Sequence, residues 1–190
     1  MIRMHRPIAA VALAVALLLA APAARAYHDN AHGRAIFCAS IAYGLVELVL
    51  VATKNVEWLA ADAEVDARAA GHVRTGALAI QARALEEAAN LEKCLTEAVA
   101  QAVRDPAAAY ATQALTAEVD GIGNQIAAFE KALADAQPKA GAFLARGSYR
   151  VGRADVALPE AAKFGTFAPT LHPQVERIRS LAAELAAKSK

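Results

Sequence analysis

Residues 106–137 read PAAAYATQALTAEVDGIGNQIAAFEKALADAQ. Within them Leu115, Val119, Ile122, Ile126, Phe129 and Leu133 recur at alternating steps of four and three. An α-helix turns once every 3.6 residues, so this spacing lines up all six side chains as a heptad seam. Asp105 precedes the stretch and Pro106 opens it. Proline suits the first helical position, where it has no N–H to satisfy, so Asp105-Pro106 ends one helix and begins the next. The stretch predicts a helix that must bury its seam against other helices. Gly121 and Gly123 flank Ile122 and weaken that helix by about 1 kcal/mol each relative to alanine. They are expected to let a neighbouring helix come close.

Working outward, two more helices are legible before this one. The first is expected after Asp29-Asn30, either of which can cap it, and to run to about Ala60. Cys38, Ile41, Leu45, Leu48, Ala52, Asn55 and Leu59 form its expected inner face. Ser40, Gly44, Glu47, Lys54 and Trp58 form a more polar side. The polar segment 61–76 is expected to hold the turn. A second helix then covers about 77–104, with Ile80, Ala84, Ala88, Leu91, Leu95, Ala98 and Ala102 inward. After the seam, residues 138–172 carry three prolines and four glycines and are expected to be irregular. Pro173 opens a short last helix to about Ala187, with Val175, Ile178, Leu181, Ala182 and Leu185 on one face. The expected fold class is therefore all-α: an antiparallel helical bundle of three long helices plus a short C-terminal helix.

Composition agrees. Alanine fills 53 of 190 positions, aromatic residues make up 5% and charged residues 21%. That favours helices over strands. The 57% hydrophobic content and formal net charge of +1 exclude a disordered chain. Two cysteines are too few for a disulfide-dense scaffold or a four-cysteine zinc site. The near-neutral charge gives no reason to expect a nucleic-acid partner. No phosphate loop, nucleophile elbow, dinucleotide fingerprint or HExxH pair occurs.

The N-terminus reads as an address. Arg3 and Arg6 precede an uninterrupted non-polar run over 8–21, and Ala24-Arg25-Ala26 supplies small residues at the two positions a signal peptidase reads. Residues 1–26 are expected to be a secretory signal peptide and 27–190 a single exported domain, periplasmic or secreted. Cleavage would leave 17 basic against 19 acidic residues, a slightly acidic chain. Charge is also polarised: residues 47–135 carry 14 acids and 7 bases, residues 136–190 carry 4 acids and 9 bases. The basic end is expected to fold back on acidic helices.

Four features carry candidate chemistry. Cys38 and Cys94 are expected to form a disulfide, because an antiparallel hairpin turning midway between them sets them at similar heights. His28 and His32, four apart near the expected mature terminus, are candidate copper ligands against the plainer reading of a solvated terminus. Arg146, Tyr149, Arg150, Arg153 and Lys163 make a candidate anion- or partner-binding segment, against the plainer reading of docking onto acidic helices. Residues 35–53 hold one charge, Glu47, and are apolar enough to span a membrane. A carboxylate at mid-bilayer costs about 2.5–3.5 kcal/mol, which favours a buried bundle helix, where Glu47 would need a partner. No cofactor is expected. The expected function is non-enzymatic: an interaction or assembly protein with a protein partner or a second copy of itself. A ligand- or metal-binding bundle and a membrane-anchored subunit held by 35–53 are the alternatives.

Overall fold

The structure, a computed structural model, describes residues 30–65, 67–145, 148–151, 153–157 and 163–190. The expected signal peptide and His28 lie outside these residues. Helices α1 (Ala31–Val65), α2 (Ala67–Ala100), α3 (Pro106–Leu144) and α4 (Phe164–Ser189) form an all-α bundle. A small hairpin of β1 (Ser148–Val151) and β2 (Ala154–Ala157) stands between α3 and α4.

Helix α1 is capped by Asn30, one of its two candidate caps, and α3 is capped by Asp105. The Gly33 amide donates to Asn30 Oδ1 at 2.6 Å, and the Ala107 amide donates to Asp105 Oδ1 at 2.9 Å. Side-chain caps of this kind contribute about 1 kcal/mol each. Pro106 occupies the first position of α3, where its missing N–H costs nothing.

Helix α1 lies against α2 and α3, and α4 closes the other side of the same two helices. Among the described residues α1 and α4 do not touch, and α2 meets α3 only slightly, so these are the diagonals. Residues 101–105 therefore cross one end of the bundle. Three bonds fasten that end. His32 Nδ1–H donates to the Ala107 carbonyl (2.9 Å), the Asp105 amide to the Ser189 carbonyl (3.2 Å), and Lys188 Nζ to the Val99 carbonyl (3.3 Å).

The α3 seam closes the bundle from within. Leu115, Val119, Ile122, Ile126 and Phe129 are buried, but Leu133 is only partly so, and Ala132, Ala136 and Ala140 continue the stripe. A straight helix drifts about 20° per heptad, which rotates a strict seven-residue pattern off the contact. Gly121 faces Val46 of α1, where a Cβ would sit 3.5 Å from the valine methyl. A Cβ on Gly123 would come within 2.9 Å of the Arg179 guanidinium, so glycine here lets α4 approach. The Phe129 and Phe167 rings then meet edge to face, centroids 4.9 Å apart, joining α3 to α4.

Four boundaries differ from expectation. Segment 61–76 is helical on both sides of residue 66, because Ala60, Ala61, Ala63, Ala67, Ala69 and Ala70 outweigh its glycines. Helix α3 continues past Pro138 to Leu144, because Ala140 and Leu144 remain buried beyond it. Helix α4 starts at Phe164 rather than Pro173 and contains Pro169 and Pro173. The burial of Phe164, Phe167, Ala168 and Leu171 offsets the lost helix bonds, so the C-terminal helix is long. Residues 148–151 and 154–157 form strands, whose sequence signal is the β-forming Tyr149, Val151 and Val156.

The basic end does fold onto acidic helices. Arg177 pairs with Glu92 of α2 at 2.9 Å, Arg179 with Asp120 of α3 at 3.6 Å, and His172 Nε2 with Glu130 of α3 at 3.0 Å. The hydrogen bond that Arg177 donates to Glu92 holds its guanidinium above its ordinary pKa.

Candidate functional site

Helix α1 is apolar around most of its circumference, so neighbouring helices cannot cover all of it. Its inner side buries Cys38, Ala42, Leu45, Val49, Ala52, Val56 and Leu59. Cys38, Leu45, Ala52 and Leu59 are the expected residues. Ala42, Val49 and Val56 take the places expected for Ile41, Leu48 and Asn55, because α1 is gripped between two helices. Only 33% of its most apolar 18-residue window is buried. Of the remainder, Ile41, Val46 and Leu48 are partly buried against the core, while Tyr43 is 55% exposed, Val51 39% and Trp58 58%, with Leu50 half-buried beside them. Phe37, 42% exposed, stands at one edge.

This face was expected to be the polar side of α1. Its polar members are present: Ser40, Glu47 and Lys54 are exposed. Lys54 Nζ pairs with Glu57 at 2.8 Å. Glu47 needs no buried partner, since it reaches solvent, and it makes no ion pair among the described residues. The apolar members were obscured in the sequence because Tyr43 and Val51 belong to a run in which nearly every residue is apolar.

Two grooves border the face. Between α1 and α2 an open groove of about 850 Å³ is lined by Arg34, Phe37, Ser40 and Ile41 against Arg83, Glu87, Asn90 and Lys93, with Cys94 at its floor. Between α1 and α3 a second, of about 560 Å³, is lined by Leu50, Lys54 and Glu57 against Gln125, Lys131 and Asp135. Hydrogen bonds donated to Glu86 and to Asp135 hold Arg83 and Lys131, respectively, above their ordinary pKa values. These groups are fully solvated, and their carboxylate partners stand within hydrogen-bonding reach at 2.7 and 2.5 Å.

The cysteines are joined. Cys38 of α1 and Cys94 of α2 form a disulfide with their Cα atoms 5.8 Å apart, closing the first hairpin as expected. Gly44 lies beside Glu87, so paired positions sum to about 131 and the two helices run antiparallel in one register.

His32 spends Nδ1 on the Ala107 carbonyl, and among the described residues no three of His, Cys, Asp and Glu converge as metal ligands. In the basic segment Arg146 lies outside the described residues. Tyr149 and Arg150 are in β1, paired through the backbone with Val156 and Asp155. Arg153 is exposed between the strands, and Lys163 precedes the first turn of α4. Comparison with family models, with curated proteins and with solved structures finds no match for this chain.

Proposed function

We propose that this is an exported, non-enzymatic helical-bundle protein that acts as an interaction or assembly factor through the outward face of α1. The observation that carries the reading is the exposure of Tyr43, Val51 and Trp58 along one helix. Exposed aromatic and aliphatic side chains interleaved with charges along one helix suit protein–protein contact, and Tyr and Trp dominate the energetics of such contacts. Export is supported by the signal-like 1–26 and by the disulfide, which suits an oxidising compartment such as the periplasm.

Membrane insertion of 35–53 is the second reading, favoured by the length and apolarity of Ala31–Ala61. The register of the hairpin weighs against it. At the height of 35–53, α2 exposes Arg83, Glu86, Lys93 and Glu97, which a bilayer would have to admit along with Glu47.

The test is a comparison of tagged wild-type protein with Trp58→Glu and Tyr43→Glu, recovered from the envelope of an exporting host. The expected result is a soluble protein whose intact mass begins at Tyr27. Its bound protein is retained by the wild type and lost at least tenfold in either variant. Retention in the membrane after carbonate extraction, or unchanged recovery in both variants, would overturn the reading.

A further inference from the structure

We propose that the outward face of α1 pairs with the same face of a second copy of this chain, antiparallel, about a twofold axis between Leu50 and Val51. This rests on the reading of that face as an interaction surface and names its occupant.

At 100° per residue, Tyr43, Glu47, Leu50, Val51, Lys54 and Trp58 fall within an arc of about 100°. When two identical helices pair antiparallel, position i of one meets position j of the other with i + j constant. Setting the exposed Glu47 opposite the exposed Lys54 fixes that constant at 101. The same constant, with nothing further adjusted, sets Tyr43 opposite Trp58 and Leu50 opposite Val51. The pairs on the strip are thus acid with base, ring with ring, and aliphatic with aliphatic, each occurring twice by symmetry. Neighbouring registers are penalised. A shift of seven in one direction sets Glu47 against Glu47, and in the other Lys54 against Lys54.

The charges are available for this. Glu47 has no ion pair among the described residues. Lys54 is bonded to Glu57, but an ammonium has three donors and serves two carboxylates. The side chains of Lys54 and Glu57 are 51% and 46% exposed, so little holds them in their present geometry. From Ser40 to Ala61 the strip is about 32 Å long at 1.5 Å per residue. One helix face of this length makes a small interface, so a reversible, concentration-dependent association is expected.

Trp58 is the chain's one tryptophan, so it reports directly on this face. Light scattering of the purified protein is expected to give twice the chain mass at high concentration. The Trp58 emission is expected to shift to the red on dilution as the ring returns to water.

The register is tested by Glu47→Cys/Lys54→Cys. Within one helix these positions are about 10.5 Å apart, beyond disulfide reach. Mild oxidation should therefore link two chains in the double variant. Glu47→Cys or Lys54→Cys alone should remain unlinked, since in this register like positions are again about 10.5 Å apart. Glu47→Lys should lower self-affinity at least tenfold, and Glu47→Lys/Lys54→Glu should restore it. A wild-type protein that stays monomeric at all concentrations, or single variants that cross-link as fully as the double, would overturn the proposal. Failure here is separable from failure of the interaction reading, because a monomer that loses a different bound protein on Trp58→Glu retains that reading.

Discussion

Phe129→Ala is expected to destabilise the bundle by about 4 kcal/mol, within the usual range for deleting a buried phenylalanine. The ring is fully buried at the middle of the α3 seam. Truncation removes its burial, leaves a cavity in a close-packed interior and deletes the edge-to-face contact with Phe167. Rigid helices on either side limit collapse into the space. Urea unfolding followed by far-ultraviolet circular dichroism measures the change, which should appear as a lower midpoint at unchanged slope. Phe37→Ala is the control. That ring is 42% exposed at the edge of the α1 face, and its loss should cost far less. Equal effects at the two positions would mean that Phe129 does not hold α3 to α4.

Removal of the disulfide by Cys38→Ala/Cys94→Ala is expected to cost a similar amount, about 4 kcal/mol. The bridge spans a sequence separation of 56, and closing a loop of that size removes much conformational freedom from the unfolded chain. Alanine at both positions avoids leaving a thiol in the core, where Cys38 is completely buried. Helical content should be unchanged, because α1 and α2 are held by their packing as well. The unfolding midpoint should fall, and reduction of the wild type should reproduce the fall. A loss below 1 kcal/mol would show that the unfolded chain already keeps this hairpin together, leaving little entropy for the bridge to remove.

The two predictions differ in how legible their basis was. The disulfide could be anticipated because the midpoint of 38 and 94 falls in the polar segment between two apolar periodic stretches. The Phe129 seam could be read from spacing alone. The partner ring was not legible: Phe167 lies among prolines and glycines that argue locally for an irregular segment. Its helix forms because Phe164, Phe167 and Leu171 find a core to enter, and that core is made by residues far away in sequence. The hairpin at 148–157 was missed because strands of four residues give little periodic signal among breakers. The arginines of the basic segment are legible in the sequence as a charged cluster. The exposed face of α1 is marked by no motif, and only the surplus of apolar residues hints at it.

The sequence by itself determined the helical class, a cap for α1 at Asp29 or Asn30, the opening of α3 at Pro106, the inner seam of α3 and the pairing of Cys38 with Cys94. These follow from local rules: which residues cap, which spacing makes a face, and how far a cysteine can reach. Only the tertiary structure decided which sides of α1 are covered. Burial is non-directional and rewards any apolar surface removed from water. A helix apolar on every side therefore carries no instruction about where its neighbours sit. Placing α2 and α3 on two flanks, and α4 across from it, left Tyr43, Val51 and Trp58 in solvent.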